Sequence, residues 1–469
     1  MSDEATEATE ALLATWYGQL DPGPLDVAKS ATDRALYVDL DGWVDAAGEA
    51  RGLRGPAAVE QILDTIRLAA RQPAPSSTHL FAGFPGTGKS TELSRLAREL
   101  SGQRRSPGFS VLRVNARRYH GLDRALSVEE MAILLAAGIG EAALETLGGN
   151  DLPALRKTGV WETIYSRIQK ALADSSTTFK LGVADIKPAL FRGSVSLRDR
   201  LREAMGEKAH DKLKELLHGL VQEIAVAVHP RQLVVLVDDL EKYTVSTLNV
   251  ADVYQQMADL FFHNAALLKL PNCHTIYTIP PYLAFINQGI AGVFDNLLHL
   301  LPSVKVQGRP PERAPNPGGI QALTKMMGTR VDLDQLFGAA RDECMHRVVI
   351  ASGGHLRDLA NLLKRVVQLA MRRPLPLGVR EVDAAIEQHG AARTLLKDDL
   401  EILLDVSQHG DLGNVETERL GAFAGAMDQQ LILCFWNGEF WYDAHPLIAH
   451  KLERARETSA SSGAADHVP

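Results

Sequence analysis

The sequence predicts an α/β fold in which a parallel sheet is followed by helical domains, and three observations predict it. Within residues 80–100 the pattern G-x-x-x-x-G-K-[ST], here Gly83, Gly88, Lys89 and Ser90, falls between a strand-like and a helix-like stretch. Residues 233–237 are five consecutive β-favouring apolar residues that run into Asp238 and Asp239, the composition of a strand buried on both faces of a parallel sheet. Beyond residue 319 the pattern turns helical and then to a hairpin signal.

Composition sets the outer limits. A chain of 469 residues has room for two to four domains at ~150 residues each. Residues 1–50 hold eleven Asp or Glu against Lys29 and Arg34, a net of −9, so the rest of a chain whose total is −8 stands at +1. No region is basic enough to mark a nucleic-acid binder by bulk charge. Cys273, Cys344 and Cys434 are odd in number and far apart, without a C-x-x-C pair. That argues against a disulfide framework or a zinc site and for a reducing, cytoplasmic setting. The acidic start is unlike a secretory or transit peptide. With no run near ~18 uninterrupted apolar residues, no membrane span is expected.

The elements follow in chain order. Residues 1–50 read as an acidic, mostly helical lead-in with a solvated face or flexible tail. Val59, Ile62, Leu63 and Ile66 recur at helical spacing. Residues 78–82 read as a strand, and Leu93, Leu96, Ala97 and Leu100 as the apolar stripe of the helix after the loop. A strand over 108–115 comes next, then a helical region over 127–226. Gly148, Gly149 and Asn150, and the region 174–194, are expected to interrupt it. In residues 198–217, Arg198, Arg200, Arg202, Lys208 and Lys212 alternate with Asp199, Glu203, Glu207 and Asp211, the mark of a solvated helix face.

After the strand over 233–237, residues 274–279 form another, stopped by Pro280 and Pro281, and residues 304–307 a last short one. The segment 308–319, with four prolines and three glycines, reads as a linker. A helical domain over 319–395 includes SGGHLRDL, with Leu356, Leu359, Leu363 and Val366 as its stripe. Two helices, over 400–406 and 416–427, then precede apolar runs over 431–436 and 440–442 with Asn437-Gly438 between them, a hairpin signal. Packing of Phe435, Trp436, Phe440, Trp441 and Tyr442 onto that module is expected. Residues 457–469 are small and polar and read as disordered.

Each motif needs its residue types. Glycines let loop N–H groups face a phosphate, Lys89 reaches the outer phosphates, and the Ser90 hydroxyl ligates Mg²⁺. A core strand ending in Asp238 delivers a carboxylate that holds water on the metal. Thr278 stands at the carboxyl end of its strand, the edge where open α/β sheets place ligands.

GFPGTGKS at 83–90, the strand ending in Asp238-Asp239, the strand ending in Thr278, SGGHLRDL in a helical domain and a terminal two-helix-plus-hairpin module together resemble the AAA+ ATPases. The likeness is to the branch that holds origin-recognition proteins and the STAND signalling ATPases, over roughly residues 50–450. The resemblance implies a P-loop NTPase parallel sheet of the AAA+/ASCE type over 51–308 with a helical insertion. A helical lid over 319–395, a winged helix over 396–453 and a tail over 454–469 complete the implied layout.

By the same resemblance Gly83, Pro85, Gly86, Thr87, Gly88, Lys89, Ser90 and Thr91 bind ATP, and Lys89 meets its β- and γ-phosphates. Ser90 and Asp238 manage Mg²⁺, Thr278 is a sensor, and Arg357 is a lid sensor for the γ-phosphate. Where many members carry Glu after the metal Asp, this chain has Asp239, so Asp239 or Glu241 activates water and turnover is slow. Arg309 and Arg313 are weak candidates for an arginine finger. The implied function is a Mg²⁺-dependent ATPase switch, homo-oligomeric with ATP and acting on a protein partner, in a setting such as bacterial anti-phage defence. Two rivals are a DNA loader using the winged helix and a nucleotide-bound scaffold without turnover. DNA is less favoured, because Arg419 stands alone against Glu416, Glu418 and Asp428.

Overall fold

The computed structural model describes residues 3–44, 52–55, 57–72, 75–102, 108–119, 126–147, 152–172, 209–241, 250–286, 289–412 and 419–465. The expected breaks at Gly148–Asn150 and over 174–194, residues 198–208 of the mixed-charge stretch, and Glu416 and Glu418 lie outside them. The chain divides into two compact units. One comprises Ala58–Ala82 and Glu92–Leu300, and the other Met1–Ala57, Gly83–Thr91 and Leu301–Pro469. This division cuts across the expected segments: the acidic lead-in and the phosphate loop both group with residues 301–469.

The first unit is built on strands β1 (Ser77–Gly83), β2 (Phe109–Asn115), β3 (Gln232–Asp238), β4 (Cys273–Ile279) and β5 (Leu298–Leu301), in the order β2-β3-β4-β1-β5. β2 pairs with β3, β3 with β4 and β4 with β1, all parallel. Register sets Asn115 opposite Asp238 and Phe81 opposite Thr278. Parallel pairing gathers the carboxyl ends of β2, β3 and β4, with Asn115, Asp238 and Thr278, along one edge. The central strands are buried on both faces, as the unbroken Leu233–Val237 run requires. The helix Val128–Leu147 packs against both β2 and the helix Ala209–Val228. Covered on two sides, it is apolar almost all round.

The strand expected over 304–307 does not form; the edge strand is Leu298–Leu301. Val304 and Val306 are buried, but their segment bonds elsewhere: Val304 N to Gly354 O, Lys305 N to Leu53 O, and one bridge between Gln307 and Pro315. The alternation at 304–306 records burial rather than sheet pairing.

The second unit centres on an apolar core shared by the helices Pro317–Gly328, Arg341–Ser352, Leu356–Ala370 and Val379–Ala391. Leu359, Leu363 and Val366 are fully buried in it. The lead-in is part of the same core. Leu13, Trp16 and Leu20, on one face of the helix Asp3–Gln19 or just beyond it, are buried there with Leu40 and Trp43, while Glu7 and Glu10 stay exposed. The helix and its solvated face are present, but the flexible-tail alternative fails: the acidic count concealed an apolar stripe at spacings of three and four.

The segment expected to be a linker is ordered. Gly308 N donates to Ala314 O at 2.8 Å, and Asn316 caps the helix Pro317–Gly328 by accepting from Gly319 N at 3.0 Å. Prolines fix its path without a regular ladder. The helices Lys397–His409 and Leu420–Asp428 precede β6 (Ile432–Trp436) and β7 (Phe440–Ala444), which form an antiparallel hairpin across Asn437, Gly438 and Glu439. Phe435 stacks on Trp441 with centroids 4.3 Å apart, and both are buried. The tail expected to be disordered from 457 is helical as far as Ala465, continuing a helix anchored by buried Leu452; residues 466–469 lie outside the described residues. All three cysteines are free and buried. No described helix is long and apolar enough to cross a membrane.

Candidate functional site

The phosphate loop occupies the residues between the end of β1 and the start of the helix Lys89–Ser101. Gly86 and Gly88 both take positive φ, at +95° and +99°. A Cβ on Gly86 would lie 2.4 Å from His355 Nε2 and 2.9 Å from Arg357 Cβ, so only glycine fits the conformation and the space. Thr87 N and Oγ1 both donate to Phe84 O, at 3.2 and 2.9 Å, closing the turn. Lys89 is buried, and its Nζ donates to Gly83 O at 2.5 Å and Phe84 O at 3.3 Å.

Three successive loop carbonyls are held from outside the loop. Pro85 O accepts from His355 Nε2 at 2.6 Å, Gly86 O from Arg357 N at 3.3 Å, and Thr87 O from Arg54 Nη2 at 2.8 Å. In a planar trans peptide the N–H points opposite to the C=O. Turning the Pro85 and Thr87 carbonyls outward therefore turns the Gly86 and Gly88 N–H groups to the loop's other side. The positive end of the following helix dipole lies at the same place. Ser90 is half-buried in the first turn of that helix, and Thr91 Oγ1 accepts from Leu25 N at 3.0 Å.

Arg357 is half-buried beside Gly86. The pairing with Asp358 that would make it a surface ion pair does not occur, because Asp358 instead receives His355, His389, His445 and Arg393. Neither finger candidate is idle: Arg309 pairs with Glu439, and Arg313 binds the buried Asp443 carboxylate and Ser407.

The other candidate residues stand at the sheet edge of the first unit. Asp238, Asp239 and Glu241 each offer an oxygen within 4.8 Å of the others. Asp239 is buried at φ +67°, a left-handed conformation that Asp tolerates better than most residues. Its Oδ2 accepts from Asn115 Nδ2 at 3.0 Å, and its N donates to Asp238 Oδ1 at 2.9 Å. Asn115 Oδ1 accepts from Arg117 N at 3.0 Å, which leaves the amide nitrogen for the carboxylate. Thr278, fully buried, donates to Glu241 Oε2 at 2.6 Å and accepts from Leu240 N at 3.4 Å. Of the two candidates for activating water, Asp239 is held by β2 and Glu241 by β4.

Arg54, Asn115 and His355 escape sequence reasoning. His355 lies inside SGGHLRDL and Asn115 at the polar end of a strand, weak signals that single them out only once register is known. For Arg54 the flanking glycines are the sole hint.

No protein-family profile matches the chain, and no curated protein matches it. Solved structures that it resembles include the Aeropyrum pernix ORC2 protein in ADPNP–ADP complexes, at TM-score 0.40 and 14% identity over 92% of this chain and 98% of that one. The Aeropyrum pernix ORC1 protein in complex with DNA gives TM-score 0.38 and 12% identity over 91% and 97%. Drosophila ORC bound to DNA gives 0.36 and 13% over 92% and 94%. The fold of this chain, a five-stranded parallel α/β sheet whose β1 leads into a phosphate loop, stands on its own strand order and loop geometry.

Proposed function

We propose that this protein binds ATP with Mg²⁺, hydrolyses it slowly, and uses the nucleotide state as a switch for self-association or partner binding. The observation that supports this most is the loop itself. Gly86 and Gly88 are in left-handed conformations, three loop carbonyls are tied outward, and a buried lysine closes the motif. That arrangement aims N–H groups and a helix dipole at an anion. In this proposal Lys89 exchanges the Gly83 and Phe84 carbonyls for phosphate oxygens. Asp238 offers a carboxylate oxygen of the kind that suits a hard divalent cation, with Asp239 and Glu241 close beside it, and the Ser90 hydroxyl is a further oxygen expected from the motif. Magnesium held there would neutralise phosphate charge. Glu241, oriented by Thr278, is the assigned base for the attacking water, with Asp239 as its rival, and Arg357 is the assigned lid contact to the γ-phosphate.

ATP and ADP binding and phosphate release test this against Lys89→Ala. The wild type is expected to bind both nucleotides and release phosphate slowly, and the variant to do neither. Failure to bind at millimolar nucleotide with magnesium overturns the proposal, and binding without release reduces it to a scaffold. Molecular mass with and without ATP tests the switch, with a larger species expected in ATP. DNA binding is disfavoured by charge: the helix Leu420–Asp428 carries no Lys or Arg, and Arg419 before it is paired with Glu401.

A further inference from the structure

We propose that His355 is a positioning residue for the phosphate loop, acting as an imidazolium that anchors the Pro85 carbonyl and ties the loop, through Asp358, to the end of the β6–β7 hairpin. This rests on the loop being a nucleotide site.

Three histidines surround the Asp358 carboxylate, and their second ring nitrogens tell them apart. His389 donates from Nε2 to Asp358 Oδ1 at 3.0 Å, while its Nδ1 accepts from Arg365 Nε at 3.1 Å. His445 donates from Nε2 to Asp358 Oδ2 at 3.0 Å, while its Nδ1 accepts from Leu447 N at 3.1 Å. Each therefore needs one proton and is neutral. Burial also pushes His445 down to about 4. His355 differs. Its Nδ1 lies 2.7 Å from Asp358 Oδ2 and its Nε2 lies 2.6 Å from Pro85 O. A carboxylate and a carbonyl only accept, so both nitrogens donate and the ring carries both protons. The Asp358 N is farther from Nδ1, at 3.4 Å, so the carboxylate takes that proton.

The charges around the ring are compatible with this. Burial works against ionisation of Asp358, but hydrogen bonds from His355, His389 and His445 outweigh it and hold the carboxyl well below its usual range. Arg393 adds a donor from Nη2 at 2.6 Å. The groups facing His355 are thus the Asp358 anion, the Arg393 cation and neutral His389 and His445, with Lys89 at the end of the loop and Arg357 on its own helix. Within this cluster one net positive charge remains, in addition to the Arg54 guanidinium on Thr87 O. A neutral His355 could keep only one of its two contacts, so losing a proton frees either Pro85 or Asp358. Because His445 directly follows β7, displacement of the hairpin end would disturb the same carboxylate and reach the loop through His355.

The test is nucleotide affinity, measured with fluorescent ADP. His355→Gln keeps one donor and cannot make both contacts at once. It is expected to bind about tenfold more weakly than wild type. Wild-type affinity in His355→Gln overturns the inference while leaving the nucleotide site intact. Absence of ADP binding by wild type overturns the nucleotide reading and this one with it. Should the variant misfold, ring-nitrogen chemical shifts of the ¹⁵N-histidine-labelled wild type give the answer directly. Two protonated nitrogens are expected on His355 and one each on His389 and His445; a singly protonated His355 sinks the proposal.

Discussion

Thr278 Oγ1 donates to Glu241 Oε2 at 2.6 Å and receives Leu240 N at 3.4 Å, so the last turn of β4 fixes the direction of a carboxylate that follows β3. If that carboxylate is the base, Glu241→Gln should cut phosphate release about 10²-fold, and Thr278→Val about tenfold, with nucleotide affinity nearly unchanged. Asp239→Asn, made alongside, discriminates. Loss of release there with normal release in Glu241→Gln transfers the role to Asp239.

Gly86→Ala tests whether the loop depends on its approach to His355. The residue sits at φ +95° and its new Cβ would meet His355 Nε2 at 2.4 Å, so backbone strain and a clash act together. A stability loss of about 1–3 kcal/mol and at least tenfold weaker ADP binding are expected, read by thermal melting and fluorescence titration. Gly438→Ala is the control: φ is +84° there too, but nothing lies within 4 Å of the new Cβ. It should cost only about 1 kcal/mol and leave ADP binding alone.

Stability should fall in mild acid because of three buried histidines in the first unit. Ser77 Oγ lies 2.9 Å from both His79 Nε2 and His274 Nδ1, and His79 Nδ1 lies 3.2 Å from His299 Nε2. Burial lowers His79 to about 3, with repulsion from its two neighbours adding to it, and lowers His274 and His299 to about 4. These folded values lie below the unfolded value of ~6.5, so the unfolded chain binds more protons in between. The contribution is fully present above about pH 6.5 and is lost as pH drops toward 4, by up to about 1.4 kcal/mol per pH unit per histidine. The urea midpoint is expected to be flat between about pH 7 and 8 and to drop between about pH 6 and 5; equal midpoints at pH 7 and 5 would refute this account.

Arg313 is held by a buried carboxylate. It binds Asp443, whose side chain is 2% exposed, through Nε at 2.6 Å and Nη2 at 2.8 Å. Arg313→Ala strands a buried carboxylate and should cost about 2–3 kcal/mol, seen as a lower melting temperature. Arg313→Leu with Asp443→Asn should recover part of it. A single Ala variant that melts like wild type yet loses ATP-dependent assembly would restore the finger role.

What could be read from the sequence was whatever contiguous residues encode. The phosphate loop, the buried run before Asp238, the strand ending in Thr278, the stripe at Leu359, Leu363 and Val366, and the Asn437-Gly438 hairpin each depend on local φ preferences or on a period of two or 3.6. The same local logic misread the acidic lead-in, whose charge outvoted Leu13, Trp16 and Leu20. It also misread residues 304–307, where alternation marked burial without pairing, and the proline-rich segment, which is ordered by partners such as Asp443. Tertiary structure alone decided that His355 meets Pro85 across 270 positions, Arg54 meets Thr87 across 33, and Asn115 meets Asp239 across 124. A hydrogen bond between distant residues leaves no periodicity in either neighbourhood. Its formation depends on loop-closure entropy and on the packing of everything between, so the clasp on the phosphate loop exists only in the folded chain.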